Sequence, residues 1–320
     1  DTPSLQQDSE RPSEILDAKC EKADLTEVTE SISVSNDLEQ KQSRQLSTEC
    51  ESLFDGILGR WTGAPCKIEL KDDVVPHHAK PFPVPHAHEA TLRTEVKRLV
   101  KTGVLWRVSR SEWAAPSFTI PKKDKSVRFI NDFRELNKNL KRKPYKLPRI
   151  QYIMNKRKNY TYCTKIDLSM FFHCLMLNEP SRELLTINTP FGLYQFNRLP
   201  QGAKVSPDIA QAIIEKILQN IDTDPYLDDC CLFTDKDFEH HVGLIDKLLT
   251  ALAEAGMKCN PLKCAWAVKE TSFLGHWMTP TAVKPMKKKI DAILKMDSPK
   301  NQTQVQPFIG AVNFCCSMWP

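Results

Sequence analysis

Apolar positions in 89–103, EATLRTEVKRLVKTG, fall at Leu92, Val96, Leu99 and Val100 and stop at Gly103. That 3.6-residue period predicts an amphipathic helix with a basic outer face. VSPDIAQAIIEKILQNI predicts a second helix, with Ser206 as N-cap, Pro207 at the first helical position and Asp208 complementing the helix dipole. Its expected core stripe is Ile209, Ile213 and Ile217. A third helix is expected over 235–255, with Val242, Ile245, Leu248, Leu249 and Leu252 inward and Gly256 as its stop. Two more helices are expected to start near Pro285 and Thr303. Strand patterns occur at 117–120 and 127–131, joined by a charged turn at 122–126. YCTKIDLSMFFHCLML reads as a strand entering a turn, DPYLDDCCLFT as a hairpin, and TSFLGHWMT as a short strand. Strands and helices alternate without a Gly-rich phosphate loop or dinucleotide fingerprint, which predicts an α+β fold.

Composition narrows the class. With 320 residues, 41% hydrophobic and 27% charged, the chain suits a soluble protein of two or three units. No apolar run approaches a membrane span, and the N-terminus lacks a secretory pattern. The chain does not begin with Met and is expected to be a piece of something longer. Its 11 cysteines include the adjacent pairs Cys230-Cys231 and Cys315-Cys316 and no Cys-x-x-Cys, which favours buried reduced thiols over disulfides. Cys259, Cys264 and His276 lack an evident fourth ligand for zinc. The four histidines of 75–88, VPHHAKPFPVPHAH, read as part of a Pro-stiffened arm.

Charge is unevenly spread. Residues 1–55 hold 14 Asp/Glu against 5 Lys/Arg, and 1–50 read as an acidic, disordered linker. From Arg93 to Lys158 there are 20 Lys/Arg against 5 Asp/Glu. Such an excess is the electrostatic footprint of a polyanion binder, although a solvated basic face is the plain alternative.

The chemistry gathers on three carboxylates. Asp228 and Asp229 sit inside an apolar hairpin, where the pair is either a wet turn or a metal site. Asp167 ends another apolar strand. If the two strands pair, the carboxylates converge at one edge, as two Mg²⁺ ions about 4 Å apart would require for phosphoryl transfer.

The ordered motifs carry a resemblance. WAAPSFTIPKKDKSVRFINDFRELNK, KIDLSMFF, NRLPQGAKVSPDIAQ, YLDD, LKC, FLGH and IDAILKMDSPKNQTQVQPFIGAVNF resemble, in order, segments of the reverse transcriptase of gypsy-type (metavirus) LTR retrotransposons. The resemblance runs from about Leu53 to Pro320. It implies a right-hand polymerase fold with a mixed or antiparallel palm sheet packed on helices. The implied organisation is an arm and fingers at 51–140, palm with part of the fingers at 141–280, and a truncated thumb at 281–320. It implies RNA-directed DNA synthesis, with Asp167, Asp228 and Asp229 as catalytic metal ligands for two Mg²⁺ ions, replaceable by Mn²⁺. Lys122, Arg128, Phe172, Gln201 and Gly202 would bind the dNTP, Phe172 as the ring that excludes a 2′-hydroxyl. Phe172 as one more core ring is the plain alternative. Lys263 would donate a proton to pyrophosphate, with a solvated surface lysine as the alternative, and Leu274, Gly275 and His276 would grip the primer. Implied partners are an RNA or DNA template with primer, dNTP, and RNase H and integrase segments of the same polyprotein, with no membrane. The implied location is the cytoplasm, including virus-like particles, or the nucleus.

The sequence departs from that pattern at IDTDPYLDD. Pro225 cannot donate to a ladder and Asp224 is a poor strand residue, so the leading strand is expected to be short or at a sheet edge. KVSPDIAQ and NFCCSMWP also depart from the usual pattern. The alternative reading is a decayed or repurposed copy that binds nucleic acid or a partner without catalysis.

Overall fold

The structure is a computed structural model that describes residues 51–121, 127–157 and 159–316. The expected acidic linker, 1–50, and the charged turn at 122–126 lie outside the described residues. The chain divides into two compact units. One is built from Leu58–Tyr145 and Met170–Ala210, the other from Lys146–Ser169, Gln211–Pro320 and the segment ending at Ile57.

The first unit holds a five-stranded sheet. Its strands are β1 (Leu105–Val108), β2 (Ala115–Pro121), β3 (Val127–Asn131), β5 (Thr186–Thr189) and β6 (Gly192–Phe196), ordered β1-β6-β5-β2-β3. The apolar runs of β1 and of the β5–β6 hairpin are too short to announce strands in the sequence. Helix α1 (His86–Lys101) starts three residues before the sequence pattern and buries Leu92, Val96 and Leu99 as expected. Val100, expected beside them, is exposed. Short helices α2 (Arg134–Asn139), α4 (Phe171–Cys174) and α5 (Glu179–Leu184) complete the unit.

The second unit is built on a four-stranded antiparallel sheet, ordered β7-β8-β4-β9. The strands are β4 (Tyr162–Asp167), β7 (Thr223–Tyr226), β8 (Asp229–Thr234) and β9 (Ala265–Val268). Both central strands are buried on two faces. On one face Cys163, Cys231 and Phe233 join a core with Ile153 and Met154 of α3 (Ile150–Lys156), Tyr160, Phe273 and Met278. On the other, α7 (Phe238–Glu254) packs Phe238, Ile245, Leu248, Leu249 and Leu252 inward. The apolar pattern puts Val242 in that stripe, but the buried residue is its neighbour His241, whose ring nitrogens lie 2.9 and 2.8 Å from the Thr164 and Thr234 hydroxyls.

TSFLGHWMT is a hairpin rather than a single strand. Strands β10 (Thr271–Phe273) and β11 (His276–Met278) flank Leu274-Gly275, both at positive φ, the geometry a two-residue turn requires. Strand β12 (Val283–Pro285) extends this sheet, and α8 (Lys287–Leu294) and α9 (Gln302–Cys316) follow.

Helix α6 (Ser206–Ile217) corrects two expectations. Its buried stripe is Ala210, Ile214 and Leu218, one residue on from the predicted isoleucines, which are half-buried. Gln211, fully buried beside Ala210, takes an inward position that a polarity pattern assigns outward. Ser206 is already helical, and its hydroxyl donates to the Pro200 carbonyl instead of capping. Asp208 stands in the first turn, as expected for a residue that complements the dipole, and it is also held by Arg142 and accepts from the Tyr145 N–H, which adds a tertiary tie.

Candidate active site

Strands β4 and β8 pair antiparallel over their whole length, and the ladder ends with Asp167 opposite Asp229. The two strands are not neighbours in sequence. Convergence of the three carboxylates requires this pairing, and the fold supplies it. Residues 163, 165 and 167 share a face with 229, 231 and 233, because strand side chains alternate. That face starts as apolar core and ends in carboxylates.

Two like charges directly opposite each other destabilise a sheet. Lys165, diagonal to Asp229, places its ammonium 3.3 Å from Asp229 Oδ1. Lys263 brings its ammonium 3.5 Å from Asp167 Oδ1. Lys263 is carried on a single helical turn, Pro261–Lys263, capped by the Asn260 side chain. That turn is tied to the site because the Asn260 N–H donates to the Asp167 carbonyl at 2.8 Å.

The hairpin carrying Asp228 is tight. Tyr226 pairs with Asp229, leaving Leu227-Asp228 as a two-residue turn with Leu227 at φ 55°. A left-handed leucine costs about 1–2 kcal/mol. The cost is offset by Gln211 of α6, whose Oε1 accepts from the Leu227 N–H at 2.8 Å while its Nε2 donates to the Pro225 carbonyl at 2.9 Å. The Asp228 carbonyl accepts from the Leu168 N–H at 2.8 Å, which joins the turn to the end of β4. As the sequence predicts, β7 is short, four residues, and lies at the sheet edge.

Electrostatically the site is under-compensated. Burial pushes the Asp167 carboxyl up to about 6; Lys263 opposes this, while Asp229 and Asp228 add to it. Burial also raises Asp228, and Asp229 contributes. Asp229 Oδ1 is buried and faces the Lys165 ammonium in a geometry that makes no hydrogen bond. Among the described residues no three His, Cys, Asp or Glu side chains form a ready-made metal cage. An open edge of carboxylates with an unsatisfied oxygen nevertheless suits a hard divalent cation such as Mg²⁺, which takes one or two carboxylates and fills its other positions with substrate phosphates and water.

Lys122 lies outside the described residues. Arg128 is on β3 and exposed. Phe172 is 8% exposed and packs against Phe171 with ring centroids 6.0 Å apart. Gln201 and Gly202 are exposed in a loop of the first unit, with Gly202 at φ +97°. That loop is clamped by Asn137, which donates to the Gly202 carbonyl at 3.0 Å and accepts from the Lys204 N–H at 2.7 Å. Leu274 and Gly275 form the β10–β11 turn, and His276 is buried with Nδ1 2.9 Å from the Leu274 carbonyl. Lys165 and Gln211 support the carboxylate edge, and Asn137 holds the Gly202 loop of the first unit, without being singled out by the sequence. Lys165 is the readable one of the three, standing two residues before Asp167 on the same strand face.

The family model "Reverse transcriptase (RNA-dependent DNA polymerase)" matches residues 120–278. The retrovirus-related Pol polyprotein from transposon 297 of Drosophila melanogaster is 30% identical over 75% of this chain and 23% of its own length. The polyprotein of transposon 412 from the same organism is 28% identical over 78% of this chain and 20% of its own length. The transposon Tf2-7 polyprotein of Schizosaccharomyces pombe is 26% identical over 79% and 19%. The chain thus spans less than a quarter of the length of these relatives. Among solved structures, the foamy viral protease-reverse transcriptase dRH in complex with dsDNA superposes with a TM-score of 0.83 at 24% identity, over 91% of this chain and 51% of that one. The foamy viral protease-reverse transcriptase in complex with an RNA/DNA hybrid gives 0.82 at 24%, over 91% and 39%. The fold is the α+β fold of a reverse transcriptase polymerase region, and the chain carries a reverse transcriptase domain of the kind found in LTR-retrotransposon polyproteins.

Proposed function

We propose that this chain is the polymerase segment of a gypsy-type retrotransposon polyprotein, an RNA-directed DNA polymerase. The primer 3′-oxygen attacks the α-phosphorus of a dNTP, the bond from that phosphorus to the β-phosphate oxygen breaks, pyrophosphate leaves, and the hydroxyl proton passes to solvent. The observation that carries this reading is the register of Asp167 opposite Asp229, one residue from Asp228, at the end of a buried ladder.

Asp167 and Asp228, supported by Asp229, are the residues that would hold two divalent ions, Mg²⁺ with Mn²⁺ as a substitute. When bound, the ions supply Lewis acidity to the attacking and leaving oxygens. The residues of the chain do the rest by position and charge. Lys122 and Arg128 neutralise the triphosphate, Phe172 limits the space at the sugar 2′-position, and Gln201 and Gly202 line the pocket. Leu274, Gly275 and His276 hold the primer terminus. Lys263, with its side chain 63% exposed and paired with Asp167, protonates the leaving pyrophosphate once that carboxylate is engaged elsewhere. The N-terminal arm and fingers are assigned to 51–140, the palm with part of the fingers to 141–280 and the start of the thumb to 281–320. Template, primer and dNTP are the partners, with RNase H and integrase segments in the same polyprotein.

The test is Mg²⁺-dependent primer extension on an RNA template, with Asp228→Asn as control. Extension that the control abolishes supports the proposal. A chain that binds primer-template without extending it, or extension that the control retains, overturns it.

A further inference from the structure

Strand β7 is a poor strand by composition. It reads Thr-Asp-Pro-Tyr, has four residues, sits at the edge and lacks a ladder donor at Pro225. It nevertheless carries the turn with Asp228. Its hold on the sheet has a source outside the ladder.

Arg157, immediately after α3 and 8% exposed, faces this strand. Its Nε donates to Asp224 Oδ2. Its two terminal nitrogens donate to the two oxygens of Asp222, at 3.0 and 2.6 Å. One guanidinium thus grips two carboxylates that flank the start of β7. Lys156 adds ammonium contacts at 3.5 Å to Asp222 and 3.6 Å to Asp224. Asp224 is itself buried and pairs in register with Cys231, while the Thr223 hydroxyl donates to the Cys231 carbonyl at 2.9 Å. The other end of the hairpin is held by Gln211, which bonds the Pro225 carbonyl and the Leu227 N–H.

We infer that Arg157 is a positioning residue for nucleotidyl transfer, fixing the catalytic hairpin through Asp224 and Asp222 where the edge ladder alone is too weak to do so. This rests on the polymerase reading. The guanidinium suits the task because its fork bonds two carboxylates in fixed geometry, which a lysine cannot reproduce. Breaking it leaves the buried Asp224 next to the turn with only the longer Lys156 contact, at 3.6 Å.

The experiment compares the full wild-type chain with Arg157→Gln, Arg157→Lys and Asp222→Asn. Hydrogen exchange is read by mass spectrometry, together with steady-state extension at varied dNTP and varied Mg²⁺. Arg157→Gln is expected to lower kcat by about 10- to 100-fold. Its KM for dNTP stays within about twofold, and its half-maximal Mg²⁺ concentration rises several-fold. Exchange accelerates in 222–232 and not elsewhere. Arg157→Lys retains the charge and recovers only part of the rate. Asp222→Asn, at a position whose side chain is 68% exposed, shifts the same quantities less and keeps the fold if Arg157→Gln does not. A folded Arg157→Gln with wild-type kcat and Mg²⁺ requirement overturns the inference. So does exchange that speeds evenly over the chain while kcat falls only with the folded fraction. A wild-type chain that extends no primer overturns the polymerase reading instead, and local exchange in 222–232 then decides whether the clamp holds the hairpin.

Discussion

Asp167 and Asp229 stand opposite each other as the last pair of the β4–β8 ladder, on the same sheet face as Lys165. The pair concentrates negative charge where the fold has withdrawn water. The consequence is a site that is strained in the protein alone and relieved by a proton or a cation.

The sign of that strain predicts a pH dependence. The Asp167 carboxyl titrates near 6 in the folded chain, above its ordinary 3.8. The folded form binds the proton more tightly, so this contribution to stability is present below about pH 4 and is lost as pH rises through 6. Asp167→Asn should therefore raise stability at pH 8 in chelator by about 1–3 kcal/mol while abolishing extension. Urea melts of both proteins at pH 5 and pH 8 check it; an Asn variant no more stable than wild type at pH 8 refutes it.

His241 acts in the opposite direction. Buried between Thr164 and Thr234, it is pushed down to about 4, with burial the main cause and His240 adding to it. Its contribution is present above pH 6.5 and is lost as pH falls toward 4, by about 3 kcal/mol in all. The His241→Gln variant should melt with a flatter acid limb than wild type. Equal slopes over that acid range would show that the imidazole is not the acid-sensitive group.

Gln211 should matter more than its helix position suggests. Gln211→Ala frees the Pro225 carbonyl and the Leu227 N–H and removes a bond to Glu215, at a cost of about 2–4 kcal/mol for the lost bonds and a buried unpaired group. Gln211→Glu keeps the acceptor for Leu227 but removes the donor to Pro225. Chemical denaturation should place both variants below wild type. A Gln211→Ala midpoint equal to that of wild type would show that the turn holds without the amide.

Phe172 supplies a specificity prediction. Phe172→Val is expected to raise incorporation of ribonucleotides relative to deoxynucleotides by about 10- to 100-fold, the range that a change in pocket size commonly gives. Single-nucleotide extension with matched dNTP and rNTP measures the ratio. An unchanged ratio would assign the ring to the core alone, which its packing on Phe171 also allows.

Much of the fold is legible because it rests on local patterns. Helix α7 follows from its apolar stripe and its Gly256 stop, and strand β3 from its alternation. The six-residue strand β4 is visible as an apolar run ending in Asp167. Short strands such as β1, β5 and β9 are not, because four residues carry too little periodicity to separate a strand from a loop. The pattern finds helix α6 but rotates it by one residue. Its buried face includes Gln211, and no polarity rule places an amide inward unless its two backbone partners are known.

Asp224 shows the same division most clearly. By itself the sequence determined that a carboxylate followed by proline makes a weak strand before Asp228 and Asp229, short or at a sheet edge, since proline has no N–H and aspartate has low strand propensity. It also placed Asp167 at the end of an apolar run. Only the tertiary structure decided that Asp167 lies opposite Asp229, that Lys165 and Lys263 reach the carboxylates, and that Arg157, 67 residues before Asp224, compensates the weak strand. The reason is physical. Strand propensity and periodicity are properties of neighbours along the chain, whereas pairing register and buried ion pairs depend on which distant segments the core brings within a few ångströms.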